Sequence, residues 1–154
     1  MPIPKYVADI RKRIGHDYLL LPGITALVFN DAGEILLQRR SDTKNWAVIG
    51  GIVEPGEHPA AATVREVYEE TGVTVVTERV TGIYITHVTV YPNGDHSQYV
   101  LTAFYCKVIS GQPCVNDDES LEVAYFKLNA LPPLREDHQK WIADAAADLS
   151  GAVF

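Results

Sequence analysis

The sequence has few cysteines and no long apolar run, which argues against a cysteine-ligated zinc protein and against a membrane-spanning protein. Cys106 and Cys114 are the only cysteines. Neither belongs to a Cys-x-x-Cys pair or to a zinc-ligand spacing, so we expect two free thiols. No apolar run approaches the roughly 18 residues that a membrane span needs. The first residues, Met1–Lys5, lack the apolar core of a signal peptide, so we expect a cytoplasmic protein.

The sequence also has fewer basic than acidic residues. It has 13 Lys and Arg against 20 Asp and Glu, a net charge of −7. Nonspecific binding to nucleic acid requires a basic surface, as does docking on an anionic membrane. We therefore expect neither partner. A small anionic substrate would need local cations, such as a metal ion and a few arginines.

The 154 residues contain no internal repeat, low-complexity tract or linker, which indicates one domain. We divide it into an N-terminal helical appendage, residues 1–17, and a main domain, residues 18–154. The appendage has an apolar side that packs on its own domain or, alternatively, forms a homodimer contact. That side consists of Tyr6, Val7, Ile10 and Ile14.

The rest of the chain reads as strands around one central helix, followed by a last helix over 135–149. The last helix has an apolar stripe made of Trp141, Ile142, Ala145 and Leu149. Strands surrounding one helix, with a second helix at the end, suggest a mixed sheet covered on both faces. Pattern alone indicates only an α+β or α/β protein.

The central helix lies within the stretch Gly51–Val73. Pro59 suits its first turn, where a missing N–H costs nothing, and Gly72 suits the left-handed position just past its end. At about 100° per residue, one stripe is mostly apolar and predicts the buried face. It contains Ala60, Val64, Val67, Tyr68 and Thr71.

Three glutamates, Glu66, Glu69 and Glu70, crowd nearly the opposite side of this helix. Like charges at i, i+4 destabilise a helix by a few tenths of a kcal/mol, and the helix dipole disfavours negative charge in the last turn. A solvated acidic face is the simplest interpretation. A bound divalent cation would reverse both effects, because hard cations seek carboxylate oxygens. Arg65 could hold one of the carboxylates by a bidentate pair.

The spacing G-x5-E-x7-R-E-U-x-E-E-x-G-U, with U aliphatic, is filled at every fixed position from Gly51 to Val73. This stretch resembles the Nudix box, the signature of the Nudix hydrolases. The resemblance extends outward over about residues 20–148. One departure is that Ile49-Gly50-Gly51 stands where many members have Pro-Gly-Gly.

The resemblance implies the Nudix fold, an α/β/α sandwich with a mixed sheet, and hydrolysis of a nucleoside diphosphate linked to another moiety. It implies Mg²⁺ or Mn²⁺ held by Glu66 and Glu70, with Glu69 sharing a further ion and the carbonyl of Gly50 or Gly51 adding an oxygen. Structural roles fall to Gly51, Gly72 and Glu57, the last paired with Arg65. The catalytic set comprises Glu66, Arg65 and Glu119.

The general base stays open between Glu66 and Glu119, since family members use either a glutamate of the box or an acid from a later loop. In the alternative, the run Asp117–Glu119 carries only ordinary loop charges. Arg39 and Arg40 end a strand, and alternation sends them to opposite faces. The resemblance favours a phosphate-facing role for one of them, Arg39 first.

The substrate stays open as well. A family hint for ADP-ribose, a proline about fifteen residues past the box, is absent, because that position is Val88. A tyrosine sixteen to eighteen residues past the box is a hint for dinucleoside polyphosphates, and Tyr91 lies 18 residues after Val73. Nucleotide sugars and nucleoside triphosphates remain possible. The competing hypothesis is an inactive Nudix-fold nucleotide sensor, although such proteins usually lose box glutamates and this chain keeps them.

Overall fold

The computed structural model describes residues 3–147 and 151–154. Both cysteines are free thiols, as expected. None of the helices among these residues is long and apolar enough to cross a bilayer. In chain order the elements are α1 (Lys5–Ile14), β1 (Leu19–Phe29), β2 (Ile35–Arg40), β3 (Trp46–Ala47), β4 (Ile49–Ile52), α2 (Pro59–Thr71), β5 (Thr74–Ile85), β6 (Thr89–Val90), β7 (His96–Ser110), β8 (Ser120–Phe126) and α3 (Glu136–Ala146).

The described strands form one mixed sheet with the order β3-β2-β1-β7-β5. Its centre is a long parallel pairing of β1 with β7, from Leu19 opposite Ser97 to Phe29 opposite Lys107. The other pairings are antiparallel, including β4 on β1 and β8 on β2. The pairing of β2 with β8 brings the loop before β8 close to the end of β2.

The sheet has a hydrophobic core on each face, because successive side chains of a strand point to opposite sides. The core under α2 contains Ile24, Ala26, Val28, Leu36, Ile49, Val67, Val73, Val75 and Phe104. The core under α3 contains Leu27, Phe29, Ile35, Leu37, Leu101, Trp141, Ile142 and Ala145. Helix, sheet and helix form three layers, which confirms the expected α/β/α sandwich. Leu149, the last residue of the predicted stripe of α3, lies outside the described residues.

Helix α2 begins and ends where the sequence predicts. His58 accepts a hydrogen bond from the Ala60 N–H, Pro59 opens the helix, and Gly72 follows it in the left-handed conformation. The predicted buried stripe is wrong in one respect, because Tyr68 is 55% exposed while Glu66 and Glu70 are each only 2% exposed. The helix is rotated so that both glutamates face the sheet, Glu66 over Gly51 of β4 and Glu70 toward Gln38 of β2.

Helix α1 packs against its own domain, the first of the two expected arrangements. Tyr6 donates its hydroxyl hydrogen to the Val53 carbonyl, at 3.1 Å. The Arg11 guanidinium donates to the His96 carbonyl and to the Ser97 hydroxyl, both at 2.8 Å. These contacts tie α1 to the loop after β4 and to the start of β7.

Candidate active site

A cleft at the C-terminal end of α2 is lined by five acidic side chains among seven residues. One wall is α2 and the other is the loop before β8. The lining residues are Glu66, Tyr68, Glu69, Glu70, Asn116, Asp117 and Glu119. The three glutamates of the box therefore meet an acidic loop that is more than forty residues further along the chain.

Arg65 binds the acidic groups along one side of this cleft. Its Nε and Nη2 donate to the two carboxylate oxygens of Glu57, at 2.8 and 2.9 Å, a bidentate pair. Its Nη1 donates to Glu66 at 2.8 Å and to Glu69 at 3.2 Å. Glu57 also accepts the Glu54 N–H, at 3.1 Å, which ties the loop to the helix. One guanidinium thus fixes the direction of several carboxylates.

Glu66 occupies the space that a side chain at position 51 would need. A Cβ placed on Gly51 would lie 2.2 Å from the Glu66 carboxyl carbon. Burial raises the pKa of Glu66 to about 7, against the lowering effect of Arg65. Gly50 lies in β4 opposite Thr25, and a Cβ there would lie 2.9 Å from the Ile24 carbonyl oxygen. Both glycines are required by close packing.

Glu70 is the most deeply placed acid of the cleft. Its Oε2 accepts a hydrogen bond from the Gln38 Nε2 at 2.5 Å, while its Oε1 is buried without a hydrogen-bond partner among the described residues. Burial, together with the charges of Glu66 and Asp117, raises the pKa of Glu70 to about 8. A buried carboxylate oxygen with no donor is costly, so the site suits a cation.

The loop before β8 supplies two more carboxylates. Glu70, Asp117 and Glu119 each offer an oxygen within 4.8 Å of the others. Asp117 accepts the backbone N–H groups of Glu119 and Ser120, at 3.0 and 3.2 Å, which shapes the loop. Sequence reasoning named Glu119 but left Asp117 among ordinary loop charges. The acidic run was visible, but only the β2–β8 pairing brings it to α2.

The predicted substrate residues lie outside the lining of the acidic cleft. Arg39 forms an ion pair with Glu122 at 2.7 Å, on the exposed surface. Arg40 is held by Asp42 in a bidentate pair, at 2.7 and 2.9 Å, and its pKa is raised by Asp42 first and also by the charges of Glu70 and Tyr91. Of these two arginines, Arg40 is the one whose charge interacts with an acid of the cleft, Glu70.

These residues fit a divalent cation. The donors are carboxylate oxygens, the ligands that Mg²⁺ and Mn²⁺ prefer. Among the described residues, none donates to one buried oxygen of Glu70, and the charges of Glu66 and Asp117 lie close enough to raise its pKa. Glu69 differs from the other two box glutamates, because its side chain is 55% exposed and pairs with Arg65.

An α/β/α sandwich with an acidic box helix under its sheet defines the Nudix class of domains. The family model for the NUDIX domain matches residues 19–145, so the chain belongs to the Nudix family. It is accordingly a pyrophosphohydrolase, as the sequence predicts.

Similar proteins carry different substrate names. An ADP-ribose pyrophosphatase of Methanocaldococcus jannaschii is 33% identical over 124 residues, which is 79% of this chain and 70% of the relative. A putative 8-oxo-dGTP diphosphatase of Bacillus subtilis is 30% identical, over 71% of this chain and 68% of the relative. A crystal structure of a UDP-X diphosphatase matches at a TM-score of 0.67 and 26% identity, over 92% of this chain and 68% of that one.

Proposed function

We propose that the protein uses Mg²⁺ or Mn²⁺ to hydrolyse the pyrophosphate bond of a nucleoside diphosphate linked to a second moiety. The buried Glu70 Oε1, without a hydrogen-bond donor in a carboxylate cluster, carries the metal assignment. Two similar proteins are named for diphosphates of this general kind, one for ADP-ribose and one for UDP-X. ADP-ribose is therefore the first substrate to test.

The ligand set that we propose is Glu66, Glu70 and Asp117, with Glu69 and the Gly50 carbonyl serving a further ion. A divalent cation held there neutralises phosphate charge and lowers the pKa of a bound water. Arg65 orients the Glu66 carboxylate through a 2.8 Å hydrogen bond and opposes the rise of its pKa that burial causes. A helix face supplies the rigid support that such a ligand set needs.

Glu119 is our choice of general base. Glu66 is 2% exposed, and Arg65 already binds one of its oxygens, so it suits a ligand better than a proton acceptor. Glu119 is half-buried and lines the cleft from a loop. A base must reach the attacking water within hydrogen-bond distance, which a partly exposed carboxylate can do.

The variants Glu119→Gln and Glu66→Gln separate these two roles. We expect Glu119→Gln to lose kcat and the acid limb of the pH–rate profile while Mn²⁺ affinity stays close to that of wild type. We expect Glu66→Gln to lose Mn²⁺ affinity. A parallel loss of Mn²⁺ affinity in Glu119→Gln would make Glu119 a ligand and return the role of base to Glu66.

We propose Arg40 and Tyr91 as substrate contacts beside the cleft, because Arg40 interacts electrostatically with both Glu70 and Tyr91. Tyr91 shares a 2.8 Å hydrogen bond with the Tyr99 hydroxyl and is partly exposed. Arg40→Ala should lower kcat/KM by about 10-fold or more, the equivalent of one charge-assisted hydrogen bond. Arg39→Ala is the matched control, because Arg39 pairs with Glu122 on the surface. Equal losses in the two variants would refute the assignment.

A hydrolysis screen that detects the nucleoside monophosphate product by chromatography tests the proposed activity. The panel holds ADP-ribose, nucleotide sugars, dinucleoside polyphosphates and nucleoside triphosphates, each with Mg²⁺, with Mn²⁺ and with chelator. We expect turnover of a linked diphosphate only with metal. Faster turnover of a nucleoside triphosphate than of any linked diphosphate would change the proposed substrate class to triphosphates. Tight nucleotide binding without any turnover would support the sensor hypothesis instead.

A further inference from the structure

Gln38 is a buried polar residue in an otherwise apolar stretch of strand. It follows Ile35, Leu36 and Leu37 in β2, and all four side chains are at most 1% exposed. A buried amide is costly unless both of its ends are hydrogen-bonded. Both ends of Gln38 have partners, and the partners come from two other elements.

The Gln38 amide joins α2 to β8. Its Nε2 donates to Glu70 Oε2 at 2.5 Å, and its Oε1 accepts the Ser120 hydroxyl at 2.7 Å. Ser120 is itself only 5% exposed. When Glu70 is ionised, as a metal ligand must be, its carboxylate only accepts hydrogen bonds, so the amide NH₂ faces Glu70 and the amide oxygen accepts the Ser120 hydroxyl.

The same chain of hydrogen bonds reaches the loop half of the acidic cluster. Ser120 directly follows Glu119, and its N–H donates to Asp117 at 3.2 Å. A register shift between Arg39 and Arg40 places Ser120 opposite Arg40 at this point of the β2–β8 pairing. Ser120 therefore contacts both sides, since its hydroxyl donates to Gln38 and its N–H donates to Asp117 of the acidic loop.

We propose that Gln38 and Ser120 are positioning residues for the divalent-ion ligands, an inference that rests on the proposed function. Gln38 occupies Glu70 Oε2 from the sheet side and so leaves Oε1 as the oxygen offered to the ion. Ser120 supports the amide in this orientation by donating its hydroxyl hydrogen to the amide oxygen. Neither residue touches substrate.

The test measures Mn²⁺ binding to the free protein by titration calorimetry, for wild type and for Gln38→Met. Methionine has nearly the same length but cannot hydrogen-bond, and loss of a group that orients a metal ligand typically costs about 10–100-fold in affinity. We expect a loss in that range, with kcat restored by excess Mn²⁺ and little change in substrate KM. Leu36→Met is the matched control, a volume-conserving change on the same strand and the same face, and it should bind Mn²⁺ as wild type does.

Ser120→Ala and Ser120→Thr test the second residue and keep the proposal falsifiable should Gln38→Met fail to fold. Ser120→Ala should weaken Mn²⁺ binding severalfold, and Ser120→Thr, which retains a hydroxyl, should restore it. A lower melting temperature with unchanged Mn²⁺ affinity in Gln38→Met, or in Ser120→Ala, would show that the residue supports only the fold and would refute its positioning role. If wild type itself bound no Mn²⁺, both the metal assignment and the positioning role of Gln38 and Ser120 would be refuted. If a folded Gln38→Met bound Mn²⁺ with the affinity of wild type, only the positioning role would be refuted.

Discussion

The replacement Glu70→Gln tests two effects of this acid separately: how much it destabilises the metal-free protein and how much it contributes to activity. Without metal, Glu70 is an acid with an unsatisfied buried oxygen and a pKa raised to about 8 by burial first. A glutamine keeps the length of the side chain. Its amide oxygen can accept the hydrogen bond from Gln38, and its NH₂ can donate toward the neighbouring carboxylates. We therefore expect the variant to be inactive yet more stable than wild type in chelator.

The magnitude follows from the pKa. Each unit is worth about 1.4 kcal/mol, so a rise from 4.5 to about 8 sets a ceiling of about 5 kcal/mol at pH 8. Glu66, with a pKa of about 7, ionises in the same pH range as Glu70. Because the two carboxyls interact, the free energy of ionising them belongs to the pair and not to Glu70 alone. We expect a gain of about 1–3 kcal/mol at pH 8, which is a rise of roughly 2–12 °C in melting temperature.

The pH dependence has a definite sign. The unfolded chain releases the Glu70 proton near pH 4.5, while the folded chain retains it up to about pH 8. The stabilising contribution of the protonated acid is fully present below pH 4.5 and is lost as the pH rises through 8. Glu70→Gln should therefore match wild type near pH 4.5 and exceed it increasingly toward pH 8.

The assay compares melting temperatures in chelator and in Mg²⁺, with steady-state rates beside them. Wild type should gain about 2.7 kcal/mol at a Mg²⁺ concentration 100 times its Kd, and the variant little of this. Glu69→Gln is the control, since its side chain is 55% exposed and the change should amount to only a few tenths of a kcal/mol. A Glu70→Gln protein that melts well below wild type in chelator would refute the reasoning and make Glu70 a structural residue.

Three further predictions concern the box and its metal. Gly51→Ala should cost about 1–3 kcal/mol and most of the activity, because its Cβ would lie 2.2 Å from the Glu66 carboxyl carbon. The control Gly151→Ala should leave the melting temperature nearly unchanged, because a Cβ there meets no atom within 4 Å among the described residues beyond its chain neighbours. Arg65→Lys should lower kcat/KM with little change in circular dichroism, since lysine cannot reproduce the bidentate pair with Glu57; wild-type rates in this variant would contradict that role. The wild-type melting temperature should fall from pH 5 to pH 8 in chelator and stay level in Mg²⁺, and an equal fall in both would argue against a metal at the buried acids.

The sequence by itself determined the local features of this protein. The box spacing gave the family, and short-range signals at Pro59 and Gly72 gave the limits of α2, because capping depends on a few neighbouring residues. The sequence also predicts that Arg39 and Arg40 end a strand, and both lie at the end of β2. The pairing of Glu57 with Arg65, eight residues apart, was also within reach of sequence reasoning, since both lie in the same short motif.

Only the tertiary structure decided which face of α2 is buried and which acids complete the cleft. Periodicity favoured Tyr68 for the interior, yet Glu66 and Glu70 lie there, since Gly51 makes room for one and Gln38 donates to the other. Gln38 read as one more residue of a strand, and Asp117 as a loop charge. Both acquire their roles from the pairing of β2 with β8, a contact between segments about 85 residues apart that no local pattern encodes.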